Sequence, residues 1–379
     1  MVSVTPVRRT GPRSRRPGTK VARVARVART ARVARALLAG ALLGVVPAAP
    51  AFADPPRPTD YRSEIVSITP EVDGFEVDGI EVTIIGGDAF IELDAGGREV
   101  TVPGYEGEPY LTFAADGTVS VNVRSPAYFY NQDRYSRTRP PAEADADAAP
   151  VWEVVDDDGR YAWHDHRTHW MQETPPLGLG PGDQILDQVI PITVDGIAVE
   201  IAVVSRWMVP PSIVPSVLGA FVAALVAVGT LVTGRGRARG PVLLAAAAAA
   251  LALVVGLWQT WSLPGETGPP WSHWAVPAAA LALCAVALGW RRWSVFTVRS
   301  LTVVAAVGVV LWAAIRIEVV RRAVLPTSAP FWFDRAATVA AAVVALAALS
   351  ASVLGILRLV RGVPRPAAGV AAGTSGSAG

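Results

Sequence analysis

Cysteine is nearly absent from this sequence of 379 residues, with Cys284 as the single one. One cysteine cannot close an intramolecular disulfide, so disulfide bonds do not hold any domain of this chain together. Lysine occurs once, methionine three times and histidine four times, and charged residues make up 17% of the chain. The chain is 51% hydrophobic, which excludes a disordered protein and points to membrane segments.

Recognisable catalytic motifs are missing as well. The sequence contains no Walker sequence, no His-Glu-x-x-His and no Gly-x-Ser-x-Gly, the short motifs that place phosphates, metals or nucleophiles. Residues 178–182 are rich in glycine, but no strand-to-helix context makes them a phosphate-binding loop. We therefore predict that the chain is not an enzyme, and we assign it no catalytic residue.

The formal net charge of +2 results from a cancellation between three regions. Residues 1–53 hold 11 basic residues and no acid, residues 54–212 hold 10 Arg and 29 acids, and residues 213–379 hold 13 Arg and 3 acids. These unequal charges predict three segments with different surroundings and disfavour a cytosolic single-domain enzyme. The acidic middle region also argues against nucleic acid as a partner.

The N-terminal region has the order of a secretory signal peptide. An Arg-rich stretch precedes the apolar run Ala36 to Val46 and the small-residue triplet Ala51-Phe52-Ala53, which is typical of a cleavage site. We predict that residues 1–53 are a signal peptide with a long basic n-region, cleaved before Asp54. Residues 54–212 are then exported.

The second half contains five apolar runs, each close to the roughly 20 residues that cross the hydrocarbon core of a bilayer. We predict transmembrane helices within residues 213–357, at Ile213 to Thr233, Pro241 to Trp261, Trp274 to Trp290, Arg299 to Ile317 and Ala336 to Leu357. Residues 358–379 are predicted to be a disordered cytoplasmic tail.

Arginine in the short loops gives the predicted orientation, because cytoplasmic loops carry an excess of basic residues. With residues 54–212 outside, both inner loops and the tail contain three arginines each, whereas the outer loop 262–273 contains none. The other outer loop opposes this trend with Arg321, Arg322 and Arg335. We predict a multi-pass protein of the cytoplasmic membrane, embedded in the lipid bilayer, with residues 54–212 extracytoplasmic.

Turn signals separate β-rich runs throughout residues 54–212. Asp-Gly pairs between alternating runs favour hairpins, because Gly supplies the positive φ of the turn. The predicted strands are Ile80 to Ile85, Phe90 to Leu93, Val100 to Val102, Tyr110 to Phe113, Thr118 to Val123, Val151 to Val155, Arg160 to His164, Val189 to Val194 and Ile197 to Val204. This pattern predicts an antiparallel β-sandwich, Ig-like, followed by a five-helix bundle, so that the whole chain is an α+β membrane protein.

Three of the four histidines lie in one segment, Tyr161 to Met171. In a strand, His164 and His166 point to the same face about 7 Å apart, whereas His169 is out of phase and joins them only if the strand bends after Arg167. A helix would pair His166 with His169 instead. A copper or zinc site with these three ligands, and with Met171 or Asp165 in addition, is one hypothesis, and the lack of cysteine favours Cu(II) or Zn(II). The alternative is a buried polar network around two tryptophans.

Few ionisable residues occur in the predicted spans. His273 is expected at an outer membrane edge, and because it is the single histidine of the membrane half it cannot provide a bis-histidine haem site. Arg316 and Glu318 lie near the end of the fourth span, where we expect Arg316 to extend toward the headgroups.

Three phrases carry a resemblance to a known family: Gly86 to Leu93, Val102 to Leu111 and Trp163 to Met171. They resemble an uncharacterised actinobacterial family of exported β-domain proteins with several membrane spans, which implies the architecture but no activity. More loosely, the chain is similar to bacterial copper-resistance proteins that join an exported β-sandwich to membrane helices. It departs from them because Asp54-Pro55-Pro56 offers no histidine and no Met-rich stretch follows.

The function predicted from sequence is that of a membrane protein whose extracytoplasmic β-sandwich acts as a binding or structural module for an envelope protein. The alternative is metal handling, with copper or zinc bound by His164, His166 and His169.

Overall fold

The computed structural model describes residues 54–234, 237–289 and 292–362. The predicted signal peptide, residues 1–53, and the part of the predicted tail beyond residue 362 lie outside these ranges. Within them the chain forms a β domain followed by a set of long helices.

The β domain contains ten described strands, and every pairing between them is antiparallel. A seven-stranded sheet has the order β1-β10-β9-β4-β5-β6-β7, and a three-stranded sheet has the order β2-β3-β8. The strands are β1 (Tyr61–Pro70), β2 (Glu81–Ile85), β3 (Phe90–Asp94), β4 (Val100–Pro103), β5 (Pro109–Phe113), β6 (Val119–Asn122), β7 (Trp152–Asp156), β8 (Arg160–His164), β9 (Gln184–Val194) and β10 (Ile197–Trp207). A short helix, α1 (Pro126–Tyr130), follows β6.

Period-two alternation places the apolar residues of both sheets in one hydrophobic core. Val199, Ile201 and Val203 of β10 are buried, while the residues between them are more exposed. Ile91 and Trp163 of the small sheet belong to the same buried cluster as these residues. The antiparallel β domain predicted from sequence is thereby confirmed.

Strand β1 is the one that the sequence patterns did not predict. Its central residues alternate poorly, because exposed Glu64, Val66 and Ser67 interrupt the apolar positions. A register shift between Ile65 and Ser67 marks a β-bulge opposite β10, and a bulge breaks the alternation on which strand prediction relies.

Five of the described helices are long and apolar enough to cross a membrane, as the sequence predicts. They are α2 (Val214–Thr233), α3 (Arg239–Trp261), α4 (Ser272–Gly289), α5 (Val295–Ile315) and α7 (Phe331–Arg361), with the single-turn α6 (Glu318–Arg321) after α5. This set fits an integral, multi-pass membrane protein. The last helix begins five residues before its predicted start.

Small residues bring these helices close together. The buried cluster between them is rich in alanine, including Ala245, Ala249 and Ala306, as expected where lipid-embedded helices pack through backbone proximity. At Gly219 of α2, a Cβ atom would collide with the backbone of Ala336 in α7. Glycine is therefore required at that crossing.

Among the described residues, the β domain contacts the helical part at two places. The Ala162 backbone N–H of β8 donates to Glu266 between α3 and α4 at 3.1 Å. The chain before β1 contacts the segment 322–330 between α6 and α7, which we call the strap. Thr59 and Val324 form an antiparallel bridge with N···O distances of 3.0 and 2.9 Å. Asp60 accepts hydrogen bonds from the Arg322 guanidinium at 2.7 Å and from the Ala323 backbone N–H at 3.0 Å. These contacts tie the chain just before β1 to the start of the last span.

Candidate metal centre

A sharp turn at the end of β8 brings the three histidines of the segment 164–169 together. His164 is the last residue of the strand, and Asp165 caps a 3-10 turn over His166–Thr168. His169 then returns to extended backbone with φ −147°. The chain bends through His166–Thr168, a turn that includes the position after Arg167 where the sequence required a bend, and this turn brings His169 to the other two rings.

Asp165 makes the turn because its buried carboxylate accepts four hydrogen bonds. Oδ1 accepts from the Arg167 backbone N–H at 3.0 Å and from Arg167 Nε at 2.9 Å. Oδ2 accepts from Arg167 Nη2 at 2.7 Å and from Trp163 Nε1 at 3.0 Å. Although burial opposes ionisation, the Arg167 guanidinium holds the pKa of Asp165 below its usual value. Both carboxylate oxygens are thus occupied by protein donors.

Thr168 fixes the other end of the turn. Its hydroxyl lies 2.7 Å from the Asp165 carbonyl and 3.1 Å from the Asp88 carbonyl. The Thr168 carbonyl in turn accepts a hydrogen bond from the Ser63 hydroxyl of β1. The histidine turn is therefore held between the first strand and the loop that precedes β3.

The three imidazole rings form one contact group. Ring centroids lie 4.5 Å apart for His164 and His169, 5.3 Å for His166 and His169, and 5.4 Å for His164 and His166. One nitrogen of each ring lies within 4.8 Å of the other two. Ligand nitrogens of a tetrahedral site lie about 3.4 Å apart, so each ring would have to move inward by up to about 0.7 Å to bind one ion.

Two backbone carbonyls determine the tautomers of His166 and His169. His166 Nε2 lies 3.0 Å from the Asp133 carbonyl, and His169 Nε2 lies 3.0 Å from the Arg134 carbonyl. A carbonyl only accepts, so each Nε2 carries the proton and each Nδ1 keeps its lone pair. This is the support that metal-bound histidines receive from neighbouring groups.

Several ring nitrogens of this group are buried without a hydrogen-bond partner. They are Nδ1 of His169 and both nitrogens of His164. Leaving a buried polar atom unpaired costs about 1–3 kcal/mol, so a packed polar network of the usual kind does not account for them. A bound cation would use the lone pair of His169 Nδ1 and that of the unprotonated nitrogen of His164.

Burial keeps the three rings neutral. It lowers the pKa of His164 to about 3, with the neighbouring His166 and Arg134 adding to the effect. It also lowers the pKa of His166, and it lowers that of His169 well below the usual value. At neutral pH every ring therefore offers a lone pair, as metal ligation requires.

The charges next to the histidines are already paired. Arg134 binds the fully buried Asp88 through both carboxylate oxygens, with distances of 3.0 and 2.5 Å. Burial raises the pKa of Asp88, and Arg134 opposes that rise. With Asp165 bound to Arg167, neither aspartate offers a free oxygen. An ion here would have three neutral nitrogen ligands and no anionic one from these groups.

Comparison with known proteins gives no relative from which a role could be transferred. No family model, no curated protein and no solved structure matches this chain. The two resemblances seen in the sequence stay predictions, and the case for a function depends on the geometry of the site.

The structure brings together three of the four predicted metal ligands. His164, His166 and His169 are all buried and form one group, whereas Met171 is half-buried in the irregular segment that follows and stays a prediction as a ligand. Sequence reasoning missed the carbonyls of residues 133 and 134, which orient two of the rings. A backbone carbonyl carries no residue-specific signal, so the sequence could not have indicated them.

A second buried polar cluster lies among the helices, and it corrects the expectation for Arg316. The Arg316 side chain is 1% exposed, so it does not extend toward the headgroups. Its Nη2 donates to both carboxylate oxygens of Asp334, at 2.8 and 2.9 Å. The guanidinium also donates to Gln259 Oε1, and it lies 3.2 Å from His273 Nδ1. Pairing with a counter-ion is the usual condition of a buried charge inside a helix bundle, although Nε of Arg316 has no hydrogen-bond partner.

Acidification from pH 6.5 to 5 is expected to destabilise the metal-free protein through the histidine group. The unfolded rings bind protons below about 6.5, whereas folded His164, with a pKa of about 3, and His169, with a pKa well below the usual value, stay neutral. Stability is therefore complete above that pH and falls by up to about 1.4 kcal/mol per pH unit for each of these two histidines. Unfolding midpoints of wild type and of a His164→Gln/His166→Gln/His169→Gln variant, measured at both pH values, test this. An equal loss in the two proteins would contradict it.

Proposed function

We propose that this chain is an integral protein of the cytoplasmic membrane whose β domain, an Ig-like sandwich formed by residues 54–212, lies outside the cell and binds a transition metal. The ligands are His164, His166 and His169. The observation that supports this proposal is that each buried ring has a nitrogen within 4.8 Å of the other two, while Nδ1 of His169 and both nitrogens of His164 have no hydrogen-bond partner.

A bound metal ion explains the free energy of these buried rings better than a plain hydrophobic core does. The buried nitrogens of His164 and His169 that lack hydrogen-bond partners cost stability without a packing advantage over apolar side chains. A metal ion makes the same rings favourable, because each lone pair that binds it gains a bond. The carbonyl-fixed tautomers of His166 and His169 leave the correct nitrogen available for that bond.

The donor set suits copper or zinc. Imidazole nitrogen binds both ions well, and the ligands supplied by this group include no oxygen atom that would favour magnesium or calcium. A divalent ion would bring an uncompensated charge of two into a buried site, so it would need an anion such as hydroxide as a further ligand.

The alternative function is a structural module for an envelope protein, without a metal. It shares the membrane topology with the first proposal, but it predicts that the histidines contribute only packing. Metal content separates the two functions directly.

The test is the metal content of the full-length protein, purified in detergent after loading with Cu²⁺ or Zn²⁺ and passage over a desalting column. We expect one ion per chain in wild type, and a loss of affinity of at least about 100-fold when His164 is replaced by Gln, because a lost ligand costs more than a lost supporting hydrogen bond. His273→Gln is the matched control, since His273 is the one histidine outside the group. A metal-free wild type, or unchanged binding in the His164 variant, would refute the proposal.

A further inference from the structure

The histidine group is connected to the membrane helices by a continuous set of polar contacts. His169 Nε2 donates to the Arg134 carbonyl, and the Arg134 guanidinium binds Asp88. The Thr59 hydroxyl lies 3.5 Å from the same Asp88 carboxylate. Thr59 forms the bridge to Val324, so these contacts lead from the histidines to the strap.

The strap is in turn fixed to the first turn of α7. Arg335 lies in that turn, and its guanidinium donates to the carbonyls of Val319, Arg322 and Ala323 at 3.1, 2.7 and 2.9 Å. Its neighbour Asp334 holds Arg316 beyond the end of α5. A displacement of the strap therefore moves Asp334 and Arg335, the two charged residues at the start of α7.

Helix α7 is longer than a membrane crossing requires. Its 31 residues correspond to about 46 Å of continuous helix, against a hydrocarbon core of about 30 Å. It ends near Arg358 and Arg361. An unbroken helix moves as a rigid element. A shift of its first turn therefore also moves its C-terminal end, which extends well past the thickness of the hydrocarbon core.

Metal binding at the histidine group would supply the displacement of the strap. The rings must close by up to about 0.7 Å each to reach bonding distance, and two of them are hydrogen-bonded to the carbonyls of residues 133 and 134. Closure therefore pulls on Arg134 and on its partner Asp88.

We propose that the strap makes this protein a transmembrane relay, in which a metal ion at the histidine group repositions α7 against the Arg316–Asp334 pair and so reports its presence at the far end of the helix. This inference rests on the proposed metal binding and adds a consequence to it. Thermodynamic linkage gives the direction of the coupling. If part of the binding free energy of the ion is used to move α7, then a variant in which α7 moves more easily binds the ion more tightly.

Asp60→Ala tests the relay without altering the histidine group. It removes both side-chain contacts to the strap, from Arg322 and from Ala323, at a partly exposed position where the cost in stability is small. We expect the variant to bind the ion at least about 5-fold more tightly than wild type, the lower end of typical coupling between sites. Asp195→Ala is the matched control, because Asp195 also accepts from one arginine and one backbone N–H, those of Arg98 and Glu99, inside the β domain.

Hydrogen–deuterium exchange of the full-length protein in detergent provides the second readout. Addition of one equivalent of Zn²⁺ or Cu²⁺ is expected to change exchange in residues 316–338 and 353–361 of wild type and of the Asp195 variant, and to change it less in the Asp60 variant, which keeps only the Thr59–Val324 bridge to the strap. A wild type that binds the ion with no change in these segments overturns the relay and leaves metal binding intact. An Asp60 variant that responds like wild type also overturns the relay and leaves metal binding intact. A wild type that binds no ion overturns both proposals.

Discussion

Replacement of Asp165 by alanine is expected to destabilise the β domain by about 3–5 kcal/mol, the usual cost of removing one partner of a buried ion pair. The change would leave the Arg167 guanidinium without its carboxylate and the Trp163 indole N–H without an acceptor. Because Asp165 also caps the turn, His166 would lose its position relative to His164. Urea denaturation of the full-length protein in detergent, followed by tryptophan fluorescence, gives the free energy of unfolding.

The matched control for this experiment is Asp187→Ala. Asp187 is exposed and accepts one side-chain hydrogen bond, from Gln184 at 3.3 Å, so its loss should change stability by no more than about 0.5 kcal/mol. An Asp165 variant as stable as the control would show that the four hydrogen bonds to Asp165 contribute little, and the account of how the turn is held would then be wrong.

Replacement of Arg316 by leucine is expected to cost about 3–5 kcal/mol of bundle stability, because Asp334 would stay buried without its counter-ion. The double variant Arg316→Leu/Asp334→Leu should recover most of that loss, since an apolar pair of similar volume replaces a buried ion pair at little cost. Unfolding by SDS titration from mild detergent micelles measures both variants.

The free energies of unfolding of these variants are compared with that of a variant in an exposed ion pair. Arg321 and Glu318 also pair, but the Arg321 side chain is 68% exposed and that of Glu318 39%, and Arg321→Leu should cost no more than about 1 kcal/mol. A double Arg316/Asp334 variant that is less stable than the single Arg316 variant would contradict the account of the pair given above.

The elements with a strong repeat could be predicted from the sequence alone. Strands such as β10 alternate cleanly, and the spans are long apolar runs, so the nine predicted strands and five predicted helices all occur in the structure. Strand β1 escaped prediction because of its bulge. The extension of α7 to Phe331 was also missed, since Asp334 and Arg335 interrupt the apolar run at its start.

The candidate site could be predicted in its members but not in its geometry. Three histidines in six residues indicate a ligand set, yet neither a strand nor a helix brings all three together. The turn at Asp165 does so, and an Asp before His-Arg-Thr is a cap signal that local reasoning could have used. The burial of Arg316 was beyond such reasoning, because its partner Asp334 lies on a different helix.

The position of β1 beside β10 has a consequence for the order in which the β domain assembles. Tyr61 pairs with Trp207, so the first strand finds its partner only after almost the whole domain has been synthesised. Such non-local pairing slows folding, and until then β1 presents an unpaired edge of the kind that recruits other chains. The bulge between Ile65 and Ser67 forms only when β10 pairs with β1, and in the finished sheet, where β1 is an edge strand, it twists that edge and makes it a poorer template for another chain.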